Sequence, residues 1–398
     1  MAEPVREATQ VVIIGAGPAG LTLAALLRRE GIRSVVLEVR ERAHLEQRQR
    51  AGILDHPGAQ IFHEYGLADQ VLADAPYESQ AEYRLDGVSR LFDTPAVAGG
   101  RPGRLVPQQL LVRRLLAVAE QEDGDLRFAA ADVTPHGLAS DAPHVTYRDE
   151  AGVVHDISCS YVAGCDGFHG VSRRSVPDGF LTEYTHDHGI GWLTLMAASP
   201  APKYPLFAIS RHGYAAQYAR GPHASRFYLQ YQPGTDHPRQ WTDEHIWQQL
   251  RLRLGDRSLP AGAITERELV EMRSYVAEPM TYGRLHLAGD AAHIITPMGA
   301  KGMNLALADA YVLAKALGAA LCDGDEGPLA AYSSTCLRRT WDYQDFSKWF
   351  SEMVHDAGDD TAAGPFRRKL ALARLERLFS SGPAAAAFAD LQVGIPLP

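Results

Sequence analysis

The first forty residues constrain the fold more than any other stretch. Val11-Val-Ile-Ile14 is a short β-branched run of the kind buried on both faces in a parallel sheet. Gly15-Ala-Gly-Pro-Ala-Gly20 follows. Pro18 to Glu30 then places Leu21, Leu23, Leu26 and Leu27 at helical spacing, and Gly31 closes the helix. Ser34-Val-Val-Leu-Glu38 reads as a second strand, so the segment is a βαβ unit. In such a unit Gly15 permits the tight turn, Gly17 lets a pyrophosphate approach the backbone, and Gly20 lets the helix pack close to the strand. Glu38 ends the second strand, where an acid can take both hydroxyls of a ribose. A glycine turn alone is a weak signal. With both strands, the helix and the acid in place, dinucleotide binding follows, because a turn without function leaves Glu38 unexplained.

A second site of the same kind lies about 270 residues later. Arg284-Leu-His-Leu-Ala-Gly ends a strand that delivers Asp290, a turn rich in small residues runs through Gly299, and a helix opens near Gly302. Free N–H groups at a helix start favour an anion or an acceptor. Two such sites suggest one long ligand held at both ends. Between them, Cys165-Asp-Gly-Phe-His-Gly-Val-Ser-Arg173 ends a strand in a tight turn with a cation behind it. Arg42, Arg48 and Arg50 could pair with phosphates, or form a solvated charged loop with Glu41 and Glu46.

A chain of 398 residues is long enough for two or three packed domains. Leu110 to Glu122 reads as a helix, and His144 to Tyr147 and Val153 to Val162 as strands of a meander. Trp192 to Gln232 reads as an antiparallel sheet, and Thr242 to Leu254 as a helix. Asn304 to Leu321, Pro328 to Asp359 and Ala371 to Leu391 read as mostly helical. The net charge of −9 argues against a broad nucleic-acid surface. Cys159, Cys165, Cys322 and Cys336 lack metal spacing and read as reduced thiols. No run of 18 apolar residues occurs, so no membrane span is expected, and a cytoplasmic location is the default. Asp290 and His293 would give a metal only two ligands, so no metal is expected. No G-x-S-x-G elbow supports a hydrolase.

Gly15–Gly20 with Glu38, Asp166-Gly167 and Gly289-Asp290, in this order and spacing, resemble the three fingerprints of the flavin-dependent aromatic hydroxylases. The resemblance covers nearly the whole chain, most clearly Val11 to Trp349. Arg50-Ala-Gly, Cys165-Asp-Gly-Phe-His-Gly and Gly299-Ala-Lys-Gly-Met-Asn304 look like the benzoate-hydroxylating branch. It implies an α/β (α+β) fold. A Rossmann-like FAD-binding domain would span 1–180 and an antiparallel substrate-binding sheet 181–272. Residues 273–398 would complete the FAD site and form a helical C-terminal region.

It also implies one FAD per chain, with NADPH or NADH and O2 as co-substrates. Gly15, Gly17, Gly20 and Glu38 would hold the ADP part. Arg50 would bind the pyrophosphate and gate flavin movement; Gln108 would contact the flavin, Asp166 would belong to the cofactor set, and Asp290 would bind the ribityl chain. Gly299, Gly302, Met303 and Asn304 would set backbone N–H groups against the flavin pyrimidine edge, and the Pro297 carbonyl would face the substrate. His169, Arg173 and Arg273 match residues linked to NADPH binding, and His44 and Arg48 fall where that branch selects its coenzyme, Arg48 leaning towards NADPH. A homodimer is expected by resemblance alone.

Ser225-Arg-Phe-Tyr-Leu-Gln-Tyr231 alternates as a strand, with Arg226, Tyr228 and Gln230 on one face. Arg220 and Tyr228 match the family pair that grips a substrate carboxylate, and Arg226 a flavin-positioning arginine. The family pattern then breaks. Phe207 and Gln392 stand where two relay tyrosines are expected, Glu78 where a relay histidine is expected, and Tyr218 where a serine is expected. A chain that keeps the carboxylate clamp and loses the phenol-ionising relay suits a ring already activated by an amino group, such as 3-amino-4-hydroxybenzoate or 4-aminobenzoate. 4-Hydroxybenzoate is the alternative. The rivals are a flavoprotein that does not insert oxygen and a non-catalytic binding protein of the same fold.

Overall fold

A computed structural model describes residues 3–47, 52–78, 80–234, 236–355 and 364–398. Two large sheets organise it. The first has six strands in the order Thr281–Tyr282, Leu285–Leu287, Tyr161–Gly164, Val11–Ile14, Ser34–Leu37, Asp125–Arg127. All its pairings are parallel except that of Thr281–Tyr282 with Leu285–Leu287. Val11 to Ile14 are all buried, as a central strand covered on both faces requires. Helices Pro18–Arg29, Gln108–Gln121 and Lys301–Gly318 share one apolar core with this sheet.

The second sheet has eight strands: His293–Ile294, Ile264–Glu278, Thr182–Ala198, Ala224–Tyr231, Gly213–Ala219, Leu206–Ser210, Ala81–Leu85 and Val88–Phe92. The antiparallel sheet expected from Trp192 to Gln232 is there, and it is larger. Strand Ala81–Leu85, from the N-terminal third, joins it in parallel with Leu206–Ser210. The period-2 alternation sorts its side chains cleanly. Leu206, Ala208, Ala215, Phe227 and Leu229 face helix Asp243–Leu254 through Ile246, Trp247 and Leu250. Tyr83, Tyr214, Ala216 and Tyr228 face the other way, towards Met298, Phe346 and Phe350.

The C-terminal region is helical: Gly327–His355, Gly364–Ser380 and Gly382–Val393. The single helix expected over Ala371–Leu391 is two helices, because Ser381 is extended and Pro383 restarts the chain as a helical first turn. Met298–Asp323 has the length and composition of a membrane span, yet 67% of its most apolar window is buried inside the protein. It is a core helix: Leu305, Leu307, Ala310, Leu313 and Leu317 are nearly or fully inaccessible.

Candidate active site

The Pro18–Arg29 helix starts without a side-chain cap, on an extended Gly17. Its first N–H groups are therefore not taken by a neighbouring side chain. A Cβ on Gly17 would meet nothing within 4 Å, whereas one on Gly20 would sit 1.9 Å from the Gly15 carbonyl oxygen. Gly17 faces open space and Gly20 is the contact between helix and turn. Glu38 is buried and accepts from the Ala16 N–H at 2.8 Å and the Arg40 N–H at 2.9 Å. Its carboxylate thus sits against the glycine turn with further lone pairs to offer.

The other two fingerprints converge here. A Cβ on Gly15 would strike the Cys165 carbonyl at 2.5 Å, and one on Gly289 would lie 3.1 Å from Ala306 Cβ and 3.3 Å from Ala19 Cβ. Asp166 accepts from the Ser172 N–H at 2.9 Å through Oδ2, while its Oδ1 is buried without a hydrogen-bond partner. Burial raises its pKa. A Cβ at Gly167 would lie 4.0 Å from Asp290 Cβ. The Gly289–Asp290 turn is fixed from below by Asp309, which accepts from the Gly289 N–H at 2.8 Å and lies 2.7 Å from His293 Nε2. Both partners of that His–Asp pair are buried.

Pro297 accepts from the Ala300 N–H at 3.1 Å, and Gly299 and Ala300 both take left-handed backbone (φ 79° and 55°) before helix Lys301–Gly318 starts, also without a side-chain cap. A side chain at Gly299 would be strained, since its Cβ would lie 2.7 Å from the Phe346 ring. Gly302 and Met303 are partly exposed at this helix start. The Asn304 side chain is engaged elsewhere: it accepts from the Asp55 N–H and donates to the Ile53 and Ala300 carbonyls. Gln108 opens helix Gln108–Gln121, after strand Arg104–Leu105, which pairs with Ile53–Leu54. Arg48 and Arg50 lie outside the described residues.

His169, Arg173 and Arg273 gather around one ring. The guanidinium carbons of Arg173 and Arg273 lie 4.6 and 4.2 Å from the Phe168 centroid, and the His169 ring is edge-on to it at 5.0 Å. Arg173 also donates to the Ala291 carbonyl at 3.0 Å and the Phe168 carbonyl at 2.8 Å, tying the two fingerprint turns together. His44 lies in the short helix Arg42–Gln47, where Arg42 pairs with Glu46 and Glu120.

On the second sheet, Tyr83, Phe207, Ala216, Tyr228 and Thr194 are register partners across five strands. Tyr218 and Arg226 form the next row. Tyr218 is edge-on to Phe207 at 5.8 Å and to Tyr228 at 5.5 Å. Arg226 is 7% exposed, 5.5 Å from the Tyr228 ring and 3.9 Å from Glu268. Arg220 is half-buried and donates to the Ala219 carbonyl; among the described residues no carboxylate pairs with it. Burial pulls its pKa down, while Tyr228 and Tyr218 work in the opposite direction. A desolvated guanidinium lacking a counter-ion is a site for an anion.

Beyond the residues singled out from sequence, the structure reveals a buried cation. Lys301 is fully inaccessible, bonds Asp55 at 3.0 Å and the Gln392 carbonyl at 2.7 Å, and lies 5.0 Å from the Tyr343 ring. Its signal in the sequence was a lone lysine in a run of glycine and alanine. Tyr83 gave no signal, because nothing local distinguishes a strand tyrosine stacked on Phe207 from any other tyrosine of the core.

The chain matches the FAD binding domain family over residues 8–347. It is 34% identical over 392 residues to the p-hydroxybenzoate hydroxylase of Acinetobacter baylyi, covering 98% of this chain and 96% of that protein. The chain belongs to the family of flavin-dependent aromatic hydroxylases. It is also 30% identical over 329 residues to a 3-(3-hydroxy-phenyl)propionate/3-hydroxycinnamic acid hydroxylase of Mycobacterium sp. strain JLS, covering 80% of this chain and 55% of that longer protein. The fold is similar to p-nitrophenol 4-monooxygenase PnpA from Pseudomonas putida DLL-E4 (TM-score 0.81, 20% identity, 97% of this chain and 98% of that one). It is also similar to Pseudomonas aeruginosa PqsL in complex with 2-aminobenzoylacetate (TM-score 0.74, 22% identity, 92% and 99%). As a flavin-dependent hydroxylase the protein takes FAD, and NAD(P)H and O2 are typical of its class. The crevice fits a dinucleotide: two uncapped helix starts, open space at Gly17 and an unpartnered Asp166 oxygen surround it.

Proposed function

We propose that this flavin-dependent hydroxylase inserts oxygen into the ring of an amino- or hydroxy-substituted benzoate, such as 3-amino-4-hydroxybenzoate or 4-aminobenzoate. Bound FAD supplies the redox chemistry; the chain's own residues bind, orient and enclose. Gly15, Gly17, Gly20 and Glu38 hold the adenosine and pyrophosphate end, with Arg50, and Gln108 contacts the flavin. Asp166 and Asp290 hold the middle of the cofactor. The start of helix Lys301–Gly318 presents N–H groups from Gly302, Met303 and Asn304 where negative charge develops on the ring. His169, Arg173, Arg273 and Arg48 receive the nicotinamide coenzyme at the surface. The protein works in the cytoplasm as a homodimer.

One observation carries the substrate class: Arg220, half-buried beside Tyr218 and Tyr228, has no carboxylate partner among the described residues. A benzoate carboxylate would pair with the Arg220 guanidinium and accept from the Tyr228 or Tyr218 phenol. That fixes the ring against the Pro297 turn with its para substituent towards Phe207 and Gln392. Phe207 offers no hydrogen-bonding group, which favours a ring that already carries an amino donor. The apolar wall of Phe207, Met298 and Phe346 excludes water from the reacting carbon.

The test is benzoate-stimulated NAD(P)H oxidation with product identification. The reading expects hydroxylated product from an aminobenzoate in near-stoichiometric yield. Fast, coupled turnover of 4-hydroxybenzoate with no binding of either amino compound would overturn the amino preference. 4-Hydroxybenzoate is the second reading, supported by the identity to p-hydroxybenzoate hydroxylase over nearly the full length of both chains.

A further inference from the structure

Helix Gly382–Val393 stops at Gly394, whose backbone has a positive φ of 109°, and the chain then lies along helix Gly327–His355. Gly394 has no room for a side chain: a Cβ would lie 2.6 Å from Pro57 Cδ and 2.8 Å from Asp55 Oδ2. Hydrogen bonds to other elements fix the residues on either side. Lys301 Nζ donates to the Gln392 carbonyl at 2.7 Å, and the Ile395 N–H donates to the Tyr343 hydroxyl at 2.8 Å. Arg339, 9% exposed, donates to the Ile395 carbonyl at 2.8 Å and to the Pro396 carbonyl. A guanidinium this deeply buried has lost its hydration, and here both terminal nitrogens are spent on the main chain of one segment.

The same surfaces shape the turn at Gly299. Arg339, Tyr343 and Phe346 recur at helical spacing along one face of Gly327–His355. Phe346 closes one side of Gly299, where a Cβ would sit 2.7 Å from its ring. Gln392 Oε1 stands 3.5 Å from the same point. That amide oxygen is buried and has no hydrogen-bond partner. Lys301 opens the helix that follows the turn. Segment, turn and helix therefore form one assembly, with an unpaired acceptor facing the turn. A buried acceptor without a donor is costly. An amide oxygen accepts a hydrogen bond without taking the proton.

We propose that Gln392 selects the ring by a hydrogen-bond donor that stays protonated, and that Arg339 and Tyr343 are positioning residues that hold the 392–396 segment so that Oε1 meets this donor. The proposal rests on the benzoate reading, in which the para substituent points towards Phe207 and Gln392. A neutral ring amino group donates one N–H to Oε1 and keeps its lone pair for the ring. An unsubstituted ring leaves the oxygen unpaired. No proton leaves the ring in this arrangement. The substrate class is then an aromatic acid with a neutral donor para to its carboxylate.

The test uses the FAD-loaded enzyme with benzoate and 4-aminobenzoate, which share the carboxylate and differ only in the para donor. Binding is read from the flavin absorbance, as the ratio of the two dissociation constants. The unaltered enzyme should favour 4-aminobenzoate, and Q392L should lower that preference about 3- to 10-fold. R339Q should lower it to the same extent. Removal of residues 395–398 should do so too, and it takes away the partners of Arg339 without altering the helix should R339Q fail to fold. R339K, which keeps a donor, should retain part of the preference. R339Q combined with Q392L should fall no further than Q392L alone, because Arg339 acts through Gln392. Additive losses would overturn the positioning role. An unchanged preference in Q392L would overturn the whole proposal and leave the benzoate reading standing. Failure of both probes to perturb the flavin spectrum would overturn the two together.

Discussion

At the scale of single residues, the arrangement depends on groups whose charge is buried before any ligand arrives. Arg220 has no carboxylate counter-ion among the described residues, so its interaction with an incoming carboxylate is not shared with a protein partner. R220K keeps the charge and loses the planar fork. It should raise KM for an aromatic acid on the order of 10- to 100-fold, with FAD content unchanged. Steady-state kinetics against flavin absorbance separate the two; an unchanged KM would remove Arg220 from the carboxylate site. Arg226 differs because Glu268 and Tyr228 already occupy it.

Residue identity was the least legible level of the sequence. Gly15, Gly17, Gly20 and Glu38 could be read because local spacing alone dictates a strand, a turn and a helix. Arg220, Tyr228 and Phe207 could be placed on one sheet face by alternation and family likeness. Glu78 could be joined to them only by family likeness, and Tyr83 not at all, because the parallel pairing of Ala81–Leu85 with Leu206–Ser210 spans over a hundred residues. The Lys301–Asp55 pair is hidden for the same reason: its partners are 246 positions apart. Asn304 shows the converse, since a residue in a cofactor-like motif spends its side chain on Ile53, Asp55 and Ala300.

At the scale of elements, the Gly289–Asp290 turn, the glycine loop at Gly299 and the helix that follows act as one unit. Asp309, two turns into that helix, reaches back to the Gly289 N–H and to His293. Helix and turn therefore cannot shift independently. D309N leaves the buried imidazole without its anion and should cost about 3 kcal/mol, lowering Tm and FAD affinity together. Calorimetry and flavin titration check this; a normal Tm with normal FAD affinity would show that the turn holds itself. G299A forces a side chain onto left-handed backbone and into the Phe346 ring. It should impair turnover more than R220K does, for every substrate tested.

Element boundaries followed from sequence wherever a helical stripe met a cap, as at Pro18–Arg29 and Asp243–Leu254. Several features escaped, among them the following two. Strand Ile264–Glu278 alternates charge along an exposed edge, which disguises its 15 residues as a polar loop. The break at Ser381 is hidden by alanines on its C-terminal side.

At the scale of the whole molecule, burial lowers the pKa of four histidines among the described residues, and for three of them the shift is large. His286 and His188 are pushed down to about 4, and His355 to about 3. In each case the unfolded chain binds a proton between the folded pKa and about 6.5 while the folded protein does not, so stability falls as pH falls through that window. Glu78 has the opposite sign: its raised pKa means that stability falls as pH rises towards about 7. His293, whose pKa is raised against Asp309, likewise loses its contribution as pH rises through its folded value. The three neutral histidines outweigh these two, so Tm should drop between pH 6.5 and 4.5. His286 has neither ring nitrogen hydrogen-bonded. H286F should therefore recover about 2 kcal/mol of stability at pH 5 and little at pH 7.5, which thermal melts at the two pH values resolve. Equal effects at both would exclude the protonation account.

In the proposed function the two sheets place a carboxylate-gripping pocket against the cofactor crevice so that oxygen is delivered to a benzoate ring. The most direct measurement is NAD(P)H consumption by the FAD-loaded protein with 18O2 and an aminobenzoate, with mass analysis of the product. Substrate-stimulated oxidation and one labelled oxygen atom on the ring are expected. Stimulated oxidation that yields only peroxide with every aminobenzoate and hydroxybenzoate tested would contradict it.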